Sequence, residues 1–76
     1  MTNIQPGTYE HYKGKQYQVL HVAIHSETLE EFVVYKALYD SKEFGNEAIW
    51  IRPKSMFLET VNINGTIVPR FKFIKN

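Results

Sequence analysis

Trp50 and Arg52 alternate with Ile49 and Ile51 in one short run. In a strand this spacing sends the indole and the guanidinium to one side and both isoleucines to the other. An indole beside a guanidinium stacks on a base, a nucleotide or a peptide ring, and neighbouring cations hold phosphate. Arg70 and Lys72 are expected on the outer face of the last strand, and Tyr9, Tyr12, Tyr35 and Tyr39 supply further amphipathic rings. The candidate ligand-binding set is therefore Trp50 and Arg52 at a recognition face, His25, Glu27 and Tyr35 lining an adjacent groove, and Arg70 beside them. The competing reading makes Trp50 a plug at one end of the fold and pairs Arg52 with an acidic residue of the first half. Nothing in these residues gives base specificity, and an isoelectric point near 8.0 is modest for a nucleic-acid binder.

The histidines carry a second set of expectations. His21 and His25 share a strand face but stand roughly 13 Å apart, too far to chelate one metal as a pair. A metal-assisted or acid–base site would need His11, His25 and Glu27, or Glu30, brought together by folding. Otherwise His11 and His25 hydrogen-bond locally at strand ends. Ser26 lies between His25 and Glu27, yet sequence adjacency does not bring a nucleophile and its base together in space, and no glycine-rich nucleophile elbow surrounds it. Ser26 and Thr28 are better read as bonding their own turn backbone. With no cysteine there is no thiolate chemistry or disulfide framework. No catalytic residue, metal site or cofactor is expected.

These residues have a small frame to position them. Seventy-six residues with 43% hydrophobic side chains and a net charge of +1 make one marginally stable domain rather than a disordered chain. The longest apolar run, Val19 to Ile24, is far too short to cross a membrane. Met1 to Pro6 is short, polar and uncharged, unlike a leader. A soluble, cytosolic protein follows as the expectation, with its oligomeric state open. The charge is uneven: four lysines face seven carboxylates over residues 1–47, whereas residues 48–76 carry five cations and Glu59 alone. That polarity serves either pairing within the fold or steering of a charged partner.

The dominant period is two, and aromatic residues make up 14% of the chain. Strands are predicted over residues 7–12, 15–25, 31–39 and 48–52, with a polar reversal at 26–30 and a loop at 40–46. In the second strand, Tyr17, Val19 and His21 are placed on one face, Leu20 and Val22 on the other. Pro53 stops the fourth strand. One helical turn over residues 54–57 should tuck Met56 and Phe57 inward. Asn64-Gly65 between apolar runs predicts a type I′ hairpin that pairs Ile63 with Thr66, Val61 with Val68 and Glu59 with Arg70. Leu58 and Phe71 are expected to face each other. The fold class that results is all-β: a small SH3-like barrel of five or six short antiparallel strands with one short helical turn around residues 53–57.

Ala37-Leu38-Tyr39-Asp40 matches the signature of peptide-binding SH3 domains, but in those it lies near the N-terminus, well ahead of a tryptophan pair. Here it is mid-chain, before a single tryptophan. A broader series runs through the chain in order. It comprises Gly7-Thr8-Tyr9-Glu10-His11-Tyr12-Lys13-Gly14, His25-Ser26-Glu27-Thr28-Leu29-Glu30 with Val33-Val34-Tyr35 and Leu38-Tyr39, Trp50-Ile51-Arg52-Pro53 with Ser55-Met56-Phe57, and Pro69-Arg70-Phe71. That series resembles the domain of unknown function 1653 family, small and mostly bacterial proteins found alone or attached to larger enzymes. The resemblance implies a compact β-rich domain and no established activity. The expectation for function is a non-catalytic binding or accessory module for RNA, a nucleotide or another anionic aromatic ligand. Its alternatives are a small enzyme centred on His11, His25 and Glu27, and an interaction domain for another protein, marked by a continuous exposed apolar patch.

Overall fold

The computed structural model describes residues 4–76. Residues 1–3, the start of the Met1–Pro6 segment considered above for a leader, lie outside the described residues. Strands β1 (Gly7–His11), β2 (Gln16–Ile24), β3 (Glu31–Ala37), β4 (Asp40–Ser41), β5 (Gly45–Asn46) and β6 (Ile49–Pro53) precede helix α1 (Lys54–Phe57). Strands β7 (Thr60–Ile63), β8 (Thr66–Pro69) and β9 (Phe71–Lys75) follow it. Five of them form an antiparallel sheet in the order β6-β3-β2-β1-β9, and β4-β5 and β7-β8 are two-stranded ribbons. The described residues are therefore all-β with a single one-turn helix at the expected place. Among the described residues the sheet ends in β6 and β9 as open edges, so no barrel is closed. Among the described residues no helix is long and apolar enough to cross a membrane.

Local chemistry places the turns. Asn64 and Gly65 have φ of 50° and 85°, the left-handed pair that a type I′ hairpin requires. The predicted register follows, with Ile63 opposite Thr66 and Val61 opposite Val68. Arg70 N donates to Glu59 O at 2.9 Å, and its Nη2 lies 3.3 Å from Glu59 Oε1. Residues 26–30 form the expected reversal, closed by His25 N donating to Glu30 O at 2.8 Å. The segment read as a loop at 40–46 is more ordered than expected. Ser41 Oγ accepts from the amides of Glu43 and Phe44 and folds it into the β4-β5 ribbon.

Three expectations are corrected. A β-bulge at Leu20 shifts the β2-β3 register, so Val19 pairs with Tyr35 but His21 pairs with Val34. The extra residue turns His21 away from the face that holds Val19 and brings Val22 in opposite the fully buried Val33. Met56 is exposed while Phe57 is buried, because neighbours in a helical turn point about 100° apart. Leu58 is likewise exposed, and Phe57 takes its anticipated place against Phe71, with the rings stacked 4.3 Å apart at 6°.

The core is Tyr9, Val19, Val33, Tyr35, Phe57 and Phe71. Cross-strand partners share a face, so the pairs Tyr9–Tyr17, Tyr9–Phe73, His11–Phe71, Val19–Tyr35 and Tyr35–Trp50 align these side chains on the inner side of the sheet. Helix α1 lies over that side through Phe57 and is anchored by buried Lys54, whose Nζ is 3.3 Å from Glu31 Oε1. The rest of the inner face is left for a site.

Candidate binding site

Alternation along β6 turns Trp50 and Arg52 to the inner face and leaves Ile49 and Ile51 exposed on the outer one. The two side chains share one side as expected, but they face the core-lined concavity rather than open solvent, and both are half-buried. Tyr35 on β3 stands directly opposite Trp50, and Tyr17 reaches the same space from β2. Tyr39, just beyond β3, completes the wall, its hydroxyl 2.8 Å from that of Tyr17. Tyr17, Tyr35, Tyr39, Trp50 and Arg52 enclose a recess of about 170 Å³.

Arg52 is held without being neutralised. Its Nε donates to Tyr35 Oη at 3.3 Å, and its guanidinium carbon lies 5.5 Å over the Phe71 ring. The ion pairs among the described residues are Lys54–Glu31 and Arg70–Glu59, so no carboxylate pairs with Arg52. The indole of Trp50 packs against the core, and Phe44 from the β4-β5 ribbon meets it edge-on at 4.8 Å. Trp50 thus serves the packing and walls the recess together.

Charge and burial tune the surrounding groups. Burial, reinforced by the hydrogen bond with Tyr39, pushes the Tyr17 phenol well above its ordinary range despite the nearby Arg52, so it stays protonated. His11 lies opposite Phe71, with ring centroids 5.0 Å apart. Its pKa is lowered by burial first and then by Arg52, Arg70 and Lys13. Its Nδ1 accepts from Lys13 N at 3.2 Å, in keeping with a neutral ring.

The remaining candidates lie elsewhere. His25 and Glu27 are exposed in the β2-β3 turn, where His25 Nδ1 accepts from the amides of Glu27 and Thr28. They lie beyond the last β2-β3 pair, Ile24 with Glu31, whereas Tyr35 is four residues further along β3, about 13 Å away, and buried in the core. The groove expected from His25, Glu27 and Tyr35 is not formed. His11 sits at the other end of the sheet, its N bonded to Lys15 O, with the whole of β2 between it and His25, about 30 Å. The three-residue site of His11, His25 and Glu27 is not assembled, and no cluster of metal-ligating side chains occurs among the described residues. Arg70 lies between β8 and β9, bound to Glu59, with a buried Nε that has no hydrogen-bond partner. Tyr17 lines the recess although it is not in the set expected from the sequence. Its alternation with Val19 was legible, but its meeting with Tyr39 and Arg52 is a matter of sheet register.

Residues 7–73 match the model of a family described as a protein of unknown function (DUF1653). The fold is similar to the crystal structure of a protein of that family from Bordetella bronchiseptica, with a TM-score of 0.83 and 35% identity over 95% of this chain and 88% of that one. No curated protein matches the chain.

Proposed function

The chain belongs to the DUF1653 family, and from that footing we propose that it is a non-catalytic binding module whose inner-face recess takes the flat ring of an anionic ligand, such as a nucleotide or an RNA base. The observation that carries this reading is the Arg52 guanidinium, half-buried among aromatic rings and without a carboxylate partner. A charge so placed favours an anion, because a buried cation without a counter-ion has lost part of its hydration. The ring walls add stacking and edge contacts, which are indifferent to base identity. The size agrees, since a cavity of about 150 Å³ holds a benzene ring and the recess measures about 170 Å³. It therefore accommodates one ring, with the charged part of the ligand at Arg52. Separation of His11 from His25 and Glu27 removes the three-residue site on which the alternative enzyme reading depended.

Calorimetric titration with uridine monophosphate tests it. Trp50→Ala is expected to weaken binding by about 1–3 kcal/mol, and affinity should fall as salt is raised. Arg52→Gln keeps most of the side-chain volume while removing the charge, and should weaken binding by a similar amount. Because Trp50 also packs on the core, thermal unfolding of each variant separates lost binding from lost fold. Full affinity in folded Arg52→Gln, or binding indifferent to salt, rejects the proposal.

A further inference from the structure

A second, larger depression lies between the β1-β2 turn and the β7-β8 ribbon. It measures about 890 Å³, and its walls include His11, Tyr12, Lys13, Ile63, Val68 and Lys72. Two lysines face it against one carboxylate, that of Glu10. Tyr12 is 38% exposed, with its ring 4.5 Å from that of His11 and the Lys13 ammonium 5.8 Å from its centroid. The same pairing of ring and cation recurs at the recess, where Lys15 Nζ lies 4.8 Å over Tyr39.

His11 and the buried Phe71 stand between the two depressions. His11 lines the larger groove and contacts the Phe71 ring, and Phe71 in turn contacts Tyr17, Tyr35 and the guanidinium of Arg52. The pKa of His11 is lowered by burial first and then by the nearby charges of Arg52, Arg70 and Lys13. An acidic peptide would satisfy the cations but leave the repeated rings without partners. A nucleic-acid strand supplies both, since phosphates and flat bases alternate along it.

We infer that the recess and the groove are two subsites of one track for a short single strand of nucleic acid, with one base in the recess, a neighbouring base on Tyr12, and phosphates on Lys13 and Lys72. The inference rests on the recess reading above and adds the groove, the length of the ligand and its class.

Two probes distinguish the subsites: uridine monophosphate, and a fluorescein-labelled oligouridylate of about eight nucleotides. The oligonucleotide should bind at least about tenfold more tightly. Tyr12→Ala should weaken it about tenfold and leave the mononucleotide unaffected. The double variant Lys13→Gln/Lys72→Gln should reduce its log–log salt slope by about 1.4, the share of two phosphate contacts on a single strand. All three positions are exposed, so the fold is retained, as circular dichroism would verify. An oligonucleotide that binds no more tightly than the mononucleotide, or that ignores these changes, overturns the track and leaves the recess standing. Equal competition by polyglutamate assigns the groove to acidic peptides and overturns it too. Failure of both probes to bind overturns the track together with the recess reading.

Discussion

Ile67 and Phe71 stand four residues apart on one nearly continuous strand path, yet Ile67 is 61% exposed and Phe71 6%. Both are large and apolar. Strand β9 is paired to β1 within the five-stranded sheet and its Phe71 is stacked by Phe57 from above, whereas β8 pairs with β7 alone. A two-stranded ribbon has no second layer to close on its side chains and is marginal by itself. The inner face is held by packing, and the ribbon by its Asn-Gly turn and the Glu59–Arg70 link. The proposed track uses both regions, with a rigid recess on one side and a projecting wall on the other.

The contrast is open to direct attack, starting where the effect is largest. Phe71→Ala should cost about 3–5 kcal/mol in chemical denaturation, the range for an aromatic ring removed from a core. A loss below about 1 kcal/mol would mean that the inner face is not the centre of stability. The glycines then sharpen the comparison. A Cβ at Gly7, where φ is 144°, would stand 2.5 Å from Lys75 O. Gly7→Ala is therefore expected to destabilise by about 2–3 kcal/mol through overpacking and backbone strain together. A Cβ at Gly65 meets nothing within 4 Å, so Gly65→Ala carries only the strain of its φ of 85°, about 1 kcal/mol. Equal losses at the two sites would erase the distinction between packed sheet and free ribbon.

The smallest effect is one of pH. His11 is depressed in the folded state, first by burial and then by Arg52, Arg70 and Lys13. The unfolded chain, with an ordinary histidine near 6.5, thus binds more protons, and stability rises with pH in this window. It should decline as pH falls below that ordinary value and level off once His11 is protonated in the folded state as well. Thermal melts of His11→Gln should lack this part of the slope. An unchanged slope would place the acid sensitivity in other groups.

Part of this architecture is legible in the chain. The succession of strands, the helical turn after Pro53 and the register of the 59–70 hairpin follow from local rules. A proline ends a strand through its own ring, and Asn-Gly supports left-handed φ values without help from distant residues. Alternation likewise put Trp50 and Arg52 on one side of β6. Whether that side faced solvent or a recess depended on Tyr17, Tyr35 and Tyr39, which arrive from other positions along the chain. The bulge at Leu20 left no mark in the alternating pattern, because nothing local distinguishes a residue that is skipped in pairing from one that is not. It alone reversed the faces of the second half of β2. The open edges at β6 and β9, and the distance that keeps His11 from His25 and Glu27, are likewise products of which strand lies beside which. Backbone preferences act within a few residues and can be read in order. Partnership between strands is selected by how all the side chains bury together, and only the assembled sheet reveals it.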